Sequence, residues 1–419
     1  GRRYLIIMDM LMNASGTGEE RKMLILPDKA ALIINMLEQR GYQAYAVGGC
    51  IRDTLIGLKP ADWDIAASAL PMETMEVFAR YEVIPTGVKH GTVTVIIDNE
   101  PFEITTFRKD GPYSEHRRPE RVSFVDGLEE DLKRRDFTFN ALAYNPHRGL
   151  VDFFGGEADL RAGIIKCVGE PEERFEEDAL RIMRALRFAS VYNFSLEYRT
   201  GLAVNSCAGY LSSVSAERIN AEFNKLIMGP GFYSVMDKWG ETVHFALNMP
   251  PTDRIRLKAA ALAPANLEER LSLLFENGVI ASKVLTGLRY DKKTVRGAAV
   301  LAEHINGRET DAQAVKRMLG KIGREYYLKL LDVRQACEHA SGVKGTAEYT
   351  RAILNGILER GECVSLKELA IKGGDICAIA QGPLIGQILS RLLEEVITER
   401  LPNERTALLR RAGELAGRI

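Results

Sequence analysis

Asp62 and Asp64, in the run Asp62-Trp63-Asp64-Ile65-Ala66, have the type and spacing to do chemistry together. In extended backbone, successive side chains alternate faces, so the two carboxylates project from one side. Held that close, they repel each other unless a positive charge lies between them. A divalent cation with hard oxygen ligands meets that need. Mg²⁺ takes one or two carboxylates and completes its shell with water and substrate phosphates. Upstream, Gly48, Gly49, Arg52 and Asp53 make a Gly-Gly-x-x-Arg-Asp turn. Glycines there let backbone N–H groups approach an anion such as a triphosphate. An Asp-x-Asp pair alone is common in surface loops; the order of glycine turn, Arg-Asp and then Asp-x-Asp is far more specific. Asp62 and Asp64 are the candidate catalytic and metal-binding residues.

A second set recurs every three residues: Asp178, Arg181, Arg184 and Arg187. The spacing predicts one helix over 173–194, with Ile182, Ala185, Leu186 and Ala189 as its apolar stripe. The charged set winds along another side. As a solvated face, an Asp–Arg pair would contribute only roughly tenths of a kcal/mol. Beside a nucleotide site it could read a base. A carboxylate accepts from an exocyclic amine, and a guanidinium donates to a ring nitrogen or carbonyl. Cytosine and adenine both present an amine donor beside a ring-nitrogen acceptor, whereas guanine and uracil present the inverse. One Asp with one Arg could therefore admit C and A and leave buried groups unpaired against G and U.

These motifs resemble the signature of the DNA polymerase beta superfamily of nucleotidyltransferases. In particular they resemble the class II tRNA nucleotidyltransferases, the CCA-adding enzymes among them, and their poly(A) polymerase relatives. Glu177-Asp178-Ala179-Leu180-Arg181 fits the family's E-D-x-x-R protein template, and the run SAERINAEFNKLI is similar to its next helix. The resemblance implies that Gly49 and Arg52 contact the nucleotide and that Asp62 and Asp64 hold two Mg²⁺ ions. It also implies that Arg135, in the R-R-D-F-T run, binds nucleotide with Arg181, and that Arg184 and Arg187 complete the pocket. The implied activity is template-independent addition of CCA to the 3′ end of tRNA from CTP and ATP, with release of pyrophosphate.

The elements that must position these groups follow from hydrophobic periodicity. Residues 27–40 read as a helix stopped by Gly41, and the run YQAYAVGG as a strand entering the glycine turn. PMETMEVFARY reads as a helix, and the runs either side of Asp98-Asn99 as a hairpin. Glu103 falls on such a strand, where it could join the metals or pair with Arg108 or Lys109; it stays outside the expected metal set. Residues 109–125 are rich in charge and turn formers and read as a mobile loop. From about 164 onward, helical patterns dominate. The expected fold is an α/β nucleotidyltransferase head built on a small mixed sheet, followed by an all-α neck, body and tail. The expected boundaries are a lead-in at 1–21 (disordered or tag-derived), the head at 22–163, the neck at 164–228, the body at 229–340 and a tRNA-binding tail at 341–419.

With 46% hydrophobic and 27% charged residues in 419, the chain has an ordinary globular composition. Its net charge of −1 means that basic groups for a nucleic acid must be clustered rather than in excess. Six cysteines without a C-x-x-C argue against a zinc site or a disulfide framework and fit a reduced cytoplasmic location. No membrane span is expected. The loop over 110–124 resembles the flexible loop of CCA-adding enzymes, which argues against CC-only addition. Addition of a terminal A alone stays compatible with these motifs; poly(A) polymerases usually carry a basic segment that is not found here. The chain has no His-Asp dipeptide, so the phosphohydrolase domain of some bacterial relatives is not expected. Two rival readings are an inactive fold that serves as an RNA-binding module and nucleotidyl transfer onto a protein.

Overall fold

The computed structural model describes residues 24–417 except 112, 115–117, 120 and 121. The expected lead-in and part of the 109–125 loop lie outside the described residues. The chain forms two compact units, one ending at Met249 and one starting at Pro250.

In the first unit, α1 (Asp28–Gln39) buries Ala30, Ile33, Ile34 and Leu37, the spacing of one helix face. It leads into β1 (Ala44–Val47), whose four residues are all buried, as befits a strand covered on both sides. Next come α2 (Gly49–Leu55), β2 (Ile65–Ala67), α3 (Pro71–Val77), β3 (Glu82–Gly87), β4 (Thr92–Ile97) and β5 (Glu100–Thr106). Asp98 and Asn99 join β4 to β5 with φ of 47° and 63°, the left-handed pair that a two-residue hairpin demands.

Two short ladders follow, β6 (Arg108–Asp110) with β9 (Val122–Phe124) and β7 (Tyr113–Ser114) with β8 (Arg118–Pro119). The described part of the expected loop is thus paired in strands; the register sets Arg108 opposite Phe124 and Lys109 opposite Ser123. Then α4 (Leu128–Lys133) precedes β10 (Leu142–Asn145), β11 (Gly149–Asp152) and α5 (Gly156–Ala162). Seven strands form one sheet in the order β11-β10-β1-β2-β5-β4-β3. Within it, β2 and β5 run parallel and the other pairs antiparallel, which makes the expected mixed sheet. Tyr45, Val47, Phe107, Leu132 and Ala143 meet in a core cluster on this sheet.

Past β12 (Ile164–Ile165), the expected single helix over 173–194 is two helices, α6 (Pro171–Glu177) and α7 (Leu180–Tyr192). Asp178 is extended (φ −139°, ψ 100°), and its Oδ1 accepts the Leu180 N–H at 3.2 Å. Aspartate competes with helical backbone in this way and favours helix starts over helix interiors. The expected stripe is real: Ile182, Ala185, Leu186 and Ala189 are all buried in α7. The unit ends with β13 (Ser195–Leu196), α8 (Tyr198–Ser206), α9 (Ala216–Met228) and α10 (Phe232–Ala246).

The second unit is helical: α11 (Arg254–Leu262), α12 (Leu267–Ser272), α13 (Gly278–Gly287), α14 (Lys292–His304), α15 (Ala312–Ser341), α16 (Ala347–Glu359), α17 (Pro383–Ile397) and α18 (Arg405–Ala416). Gly323 breaks α15 with φ 79° and ψ 164°. Leu369, Ile376, Ile388, Leu392, Leu408 and Ala412 close the C-terminal core. No helix among the described residues is long and apolar enough to cross a membrane.

Candidate active site

The carboxylate pair sits at the mouth of β2. The Asp64 carbonyl accepts the Val47 N–H at 3.0 Å, so Asp64 extends the β1–β2 ladder and lies beside the chain as it enters the glycine turn. Ile65 pairs with Ile104 in the parallel β2–β5 ladder, and both are buried. Asp64 and Glu103, each one residue earlier, therefore face the opposite side of the sheet. Asp64 keeps a solvent-exposed flank while protein encloses the rest. That partial burial, with the charges of Asp62 and Glu103, pushes its carboxyl up to about 6, against the pull of Arg135.

A cation between Asp62 and Asp64 would reverse that repulsion, and carboxylate oxygens are the donors that Mg²⁺ prefers. Among the described residues no three carboxylate, imidazole or thiol groups converge as a ready-made metal site. An ion held by the two carboxylates alone would take its other ligands from water and phosphate.

The glycine turn is flanked by two guanidinium groups. Gly48 has φ 74° and ψ −125°, and a Cβ added there would stand 2.7 Å from Arg135 Nη1. A Cβ at Gly49 would stand 3.5 Å from Arg52 Nη2. Glycine is favoured at Gly48 by its φ. Arg135 is held by the buried Asp131, whose Oδ2 lies 3.4 Å from its Nη2, while its Nε is buried without a hydrogen-bond partner. Arg52 is almost fully buried. Its Nε donates to Asp53 Oδ1 at 2.9 Å and its Nη1 to Asn140 Oδ1 at 2.6 Å, with its Cζ 5.1 Å from the centre of the Phe188 ring and 5.2 Å from that of Tyr192. Positive charge thus gathers around the turn where anionic phosphates would come.

The second constellation lies in the same unit, packed on the head rather than facing solvent. Arg184 Nε donates to Asp136 Oδ2 at 2.7 Å, and Asp136 Oδ1 accepts from Asn140 Nδ2 at 2.9 Å. Burial alone would raise the Asp136 carboxyl, but Arg184, the Asn140 amide and Arg181 outweigh it and hold it at about 2. Arg187 lies 2.6 Å from Glu222 and covers the Phe188 ring at 3.8 Å. Arg181 reaches Glu177 Oε2 at 2.7 Å and the Arg134 carbonyl at 2.7 Å, tying α7 to the Arg134-Arg135 turn. Asp178 is gripped by Arg218 of α9, whose Nη2 lies 3.2 and 3.0 Å from its two oxygens.

Gly49, Arg52, Asp62, Asp64 and Arg135 thus gather on the head, and Arg181, Arg184 and Arg187 join them through Arg134, Asp136 and Phe188. Asp178 takes its ion-pair partner Arg218 from α9 and Arg181 its partner Glu177 from α6, while the Arg181 backbone N–H donates to the Asp178 carbonyl at 2.9 Å. Sequence reasoning named Asp53 in the glycine-turn motif without a role, and gave none to Asp131, Asp136, Asn140, Tyr192, Arg218 or Glu222. Asp136 and Asn140 stand inside the R-R-D-F-T-F-N run, and Arg218 and Glu222 are four apart on one helix. Those two spacings were available as signals; the contacts of Asp53 with Tyr192 span 139 residues and left none.

Residues 44–166 match the family model of the poly A polymerase head domain, residues 193–240 that of a probable RNA and SrmB-binding site of polymerase A, and residues 270–412 that of a putative tRNA nucleotidyltransferase domain 2. The chain is 35% identical over 387 residues to the CCA-adding enzyme of Lactiplantibacillus plantarum, covering 90% of this chain and 93% of that one. The chain belongs to the CCA-adding enzyme family. A solved family member, the CCA-adding enzyme of Bacillus stearothermophilus in complex with CTP, is 32% identical and superimposes with a TM-score of 0.74 over 94% of this chain and 98% of that one. The Thermotoga maritima CCA-adding enzyme complexed with tRNA, at 20% identity, shares the fold with a TM-score of 0.63 over 98% of each chain. The α/β head and helical remainder of this chain are those of a CCA-adding enzyme.

Proposed function

We propose that this chain adds CCA to the 3′ end of tRNA from CTP and ATP without a nucleic-acid template. The observation that carries the proposal is the kinship with CCA-adding enzymes along nearly the whole chain, joined to an Asp62–Asp64 pair beside a glycine turn flanked by Arg52 and Arg135. A divalent cation belongs to this chemistry, and we assign two Mg²⁺ ions to Asp62 and Asp64. Bound there, they would supply positive charge to the triphosphate and favour ionisation of the RNA 3′-OH.

The chain's own residues do the rest. The Gly48–Gly49 turn, Arg52 and Arg135 seat the triphosphate so that the α-phosphorus is presented in line with the 3′-OH. Asp178 accepts from the exocyclic amine of C or A, and Arg181 donates to the adjoining ring nitrogen. A carboxylate has about four acceptor positions, so its grip by Arg218 and Leu180 leaves room for a base amine. Arg184 and Arg187, fixed by Asp136 and Glu222, close the pocket. The head (22–163) then does the transfer, the neck (164–228) the base choice, and the body (229–340) and tail (341–419) hold the tRNA by its shape and phosphates. Six free cysteines accord with the reducing cytoplasm as the site of action.

The deciding experiment supplies Mg²⁺ with CTP, ATP or both to tRNAs ending before CCA, after one C and after both C residues. Completion of all three to CCA is the expected result. Extension of the CC-ended tRNA alone, by one A, would make the chain an A-adding enzyme; an unlimited A tail would make it a poly(A) polymerase. No incorporation would return the RNA-binding module.

A further inference from the structure

We infer that Tyr192 is a positioning residue for the nucleotide triphosphate, acting through Asp53 on Arg52. This inference rests on the proposed reading that Arg52 receives the triphosphate. Tyr192 ends α7, and its hydroxyl donates to Asp53 Oδ1 at 3.0 Å. The same oxygen accepts from Arg52 Nε at 2.9 Å and stands 2.8 Å from Arg52 Nη2. From Arg52 the chain of contacts runs through Asn140 (2.6 Å) and on to Asp136 (2.9 Å). It returns to α7 at Arg184 (2.7 Å). The loop therefore leaves the neck helix at one residue and re-enters it two turns earlier, having passed through the glycine-turn helix and the 136–140 segment.

Inside this ring the Phe188 and Tyr192 side chains stack, with planes 10° apart and centroids at 5.8 Å. Both rings lie within about 5 Å of the Arg52 guanidinium carbon, at 5.1 and 5.2 Å. Arginine has many rotamers, and one left to choose among them would lose much of its binding free energy to ordering. Here the rings fix its plane and Asp53 fixes its edge, so Arg52 is held directly beneath Gly49 before any nucleotide arrives. Tyr192 touches Asp53 from the neck. Its hydroxyl thus links the element that reads the base to the arginine that meets the phosphates.

The test is Tyr192→Phe, which removes the hydroxyl and keeps the stacking ring, made in the full chain. Binding of CTP and of ATP with Mg²⁺ is measured by calorimetry, and CCA addition by steady-state kinetics. The expected result is a Kd and a KM raised about fivefold for both nucleotides alike, the scale of one lost hydrogen bond. Expected with it are a kcat changed less than about twofold and an unaltered C-to-A preference. Asp53→Asn should raise both constants further, and the double variant should fall short of the product of the two effects, since both act through one chain of contacts. A purely structural role would lower Tm while leaving the Kd values in place, and that outcome overturns the inference. So does an effect confined to one nucleotide, which would place Tyr192 at the base. If the wild type bound nucleotide without transferring it, the proposed function would fall, while the Kd comparison would still decide the role of Tyr192. If it bound no nucleotide, both would fall together.

Discussion

In the proposed site Asp62 and Asp64 place the cation together, so loss of either carboxylate would loosen it. Asp62→Ala or Asp64→Ala should lower nucleotide transfer on the order of 10³-fold or more, with circular dichroism and Tm near wild type. Normal activity in either variant would sink the metal assignment. Asp178→Ala should behave differently: binding of the triphosphate persists while base choice is lost, so that GTP and UTP compete in incorporation assays. A variant that still excludes them would show that the base is read elsewhere. Asp136 belongs to the same scale but speaks through pH. Its carboxyl is held at about 2 when folded, against an ordinary value of 3.8. The stability it contributes is fully present above the ordinary value and is lost as pH falls toward the folded one. The difference amounts to about 2 kcal/mol. Urea melts between those two pH values should show this loss in the wild type and lack it in Asp136→Asn.

At the scale of elements, the joint at Asp178 and the close approach at Gly156 carry the site. A Cβ at Gly156 would stand 2.1 Å from the Thr138 carbonyl oxygen, backbone against backbone. Gly156→Ala should therefore push α5 off the turn that follows Asp136 and cost about 1–3 kcal/mol, read as a lower urea midpoint. The strands β4 and β5 were legible because the Asp98-Asn99 turn marks them plainly, and β1 because an apolar run enters the glycine turn. Strand β3 was not: Glu82–Gly87 contains Pro85, a residue that usually ends strands, and it survives at the sheet's edge. The break at Asp178 escaped the helical period because apolar spacing continues across it, while a local hydrogen bond to Leu180 decides the backbone. Contacts such as Arg218 with Asp178 and Tyr192 with Asp53 depend on tertiary closure, which no local pattern encodes. The Asp62–Asp64 pair and the arginine series were visible because each is a short local spacing; what holds them was visible only in part.

Across the whole molecule, basic and acidic residues nearly balance, 56 against 57, so any grip on a polyanion comes from where charges lie and not from their sum. The two compact units also divide the cysteines. Cys50, Cys167 and Cys207 are buried in the first, and burial pushes the Cys167 thiol up to about 12. Cys377 in the second is exposed. Reaction with a maleimide at neutral pH should modify Cys377 in the native protein and spare Cys50 and Cys167 until denaturant is added, as peptide mapping by mass spectrometry would show. Cys50 opens the helix that follows the glycine turn, with its Sγ directed to the Val47 carbonyl at 3.3 Å, and it has almost no surface to offer an electrophile. The catalytic head is thereby shielded from thiol chemistry by packing alone, and a fluorophore would be steered to the C-terminal unit, where Cys377 is exposed and Cys337 and Cys363 are half-buried.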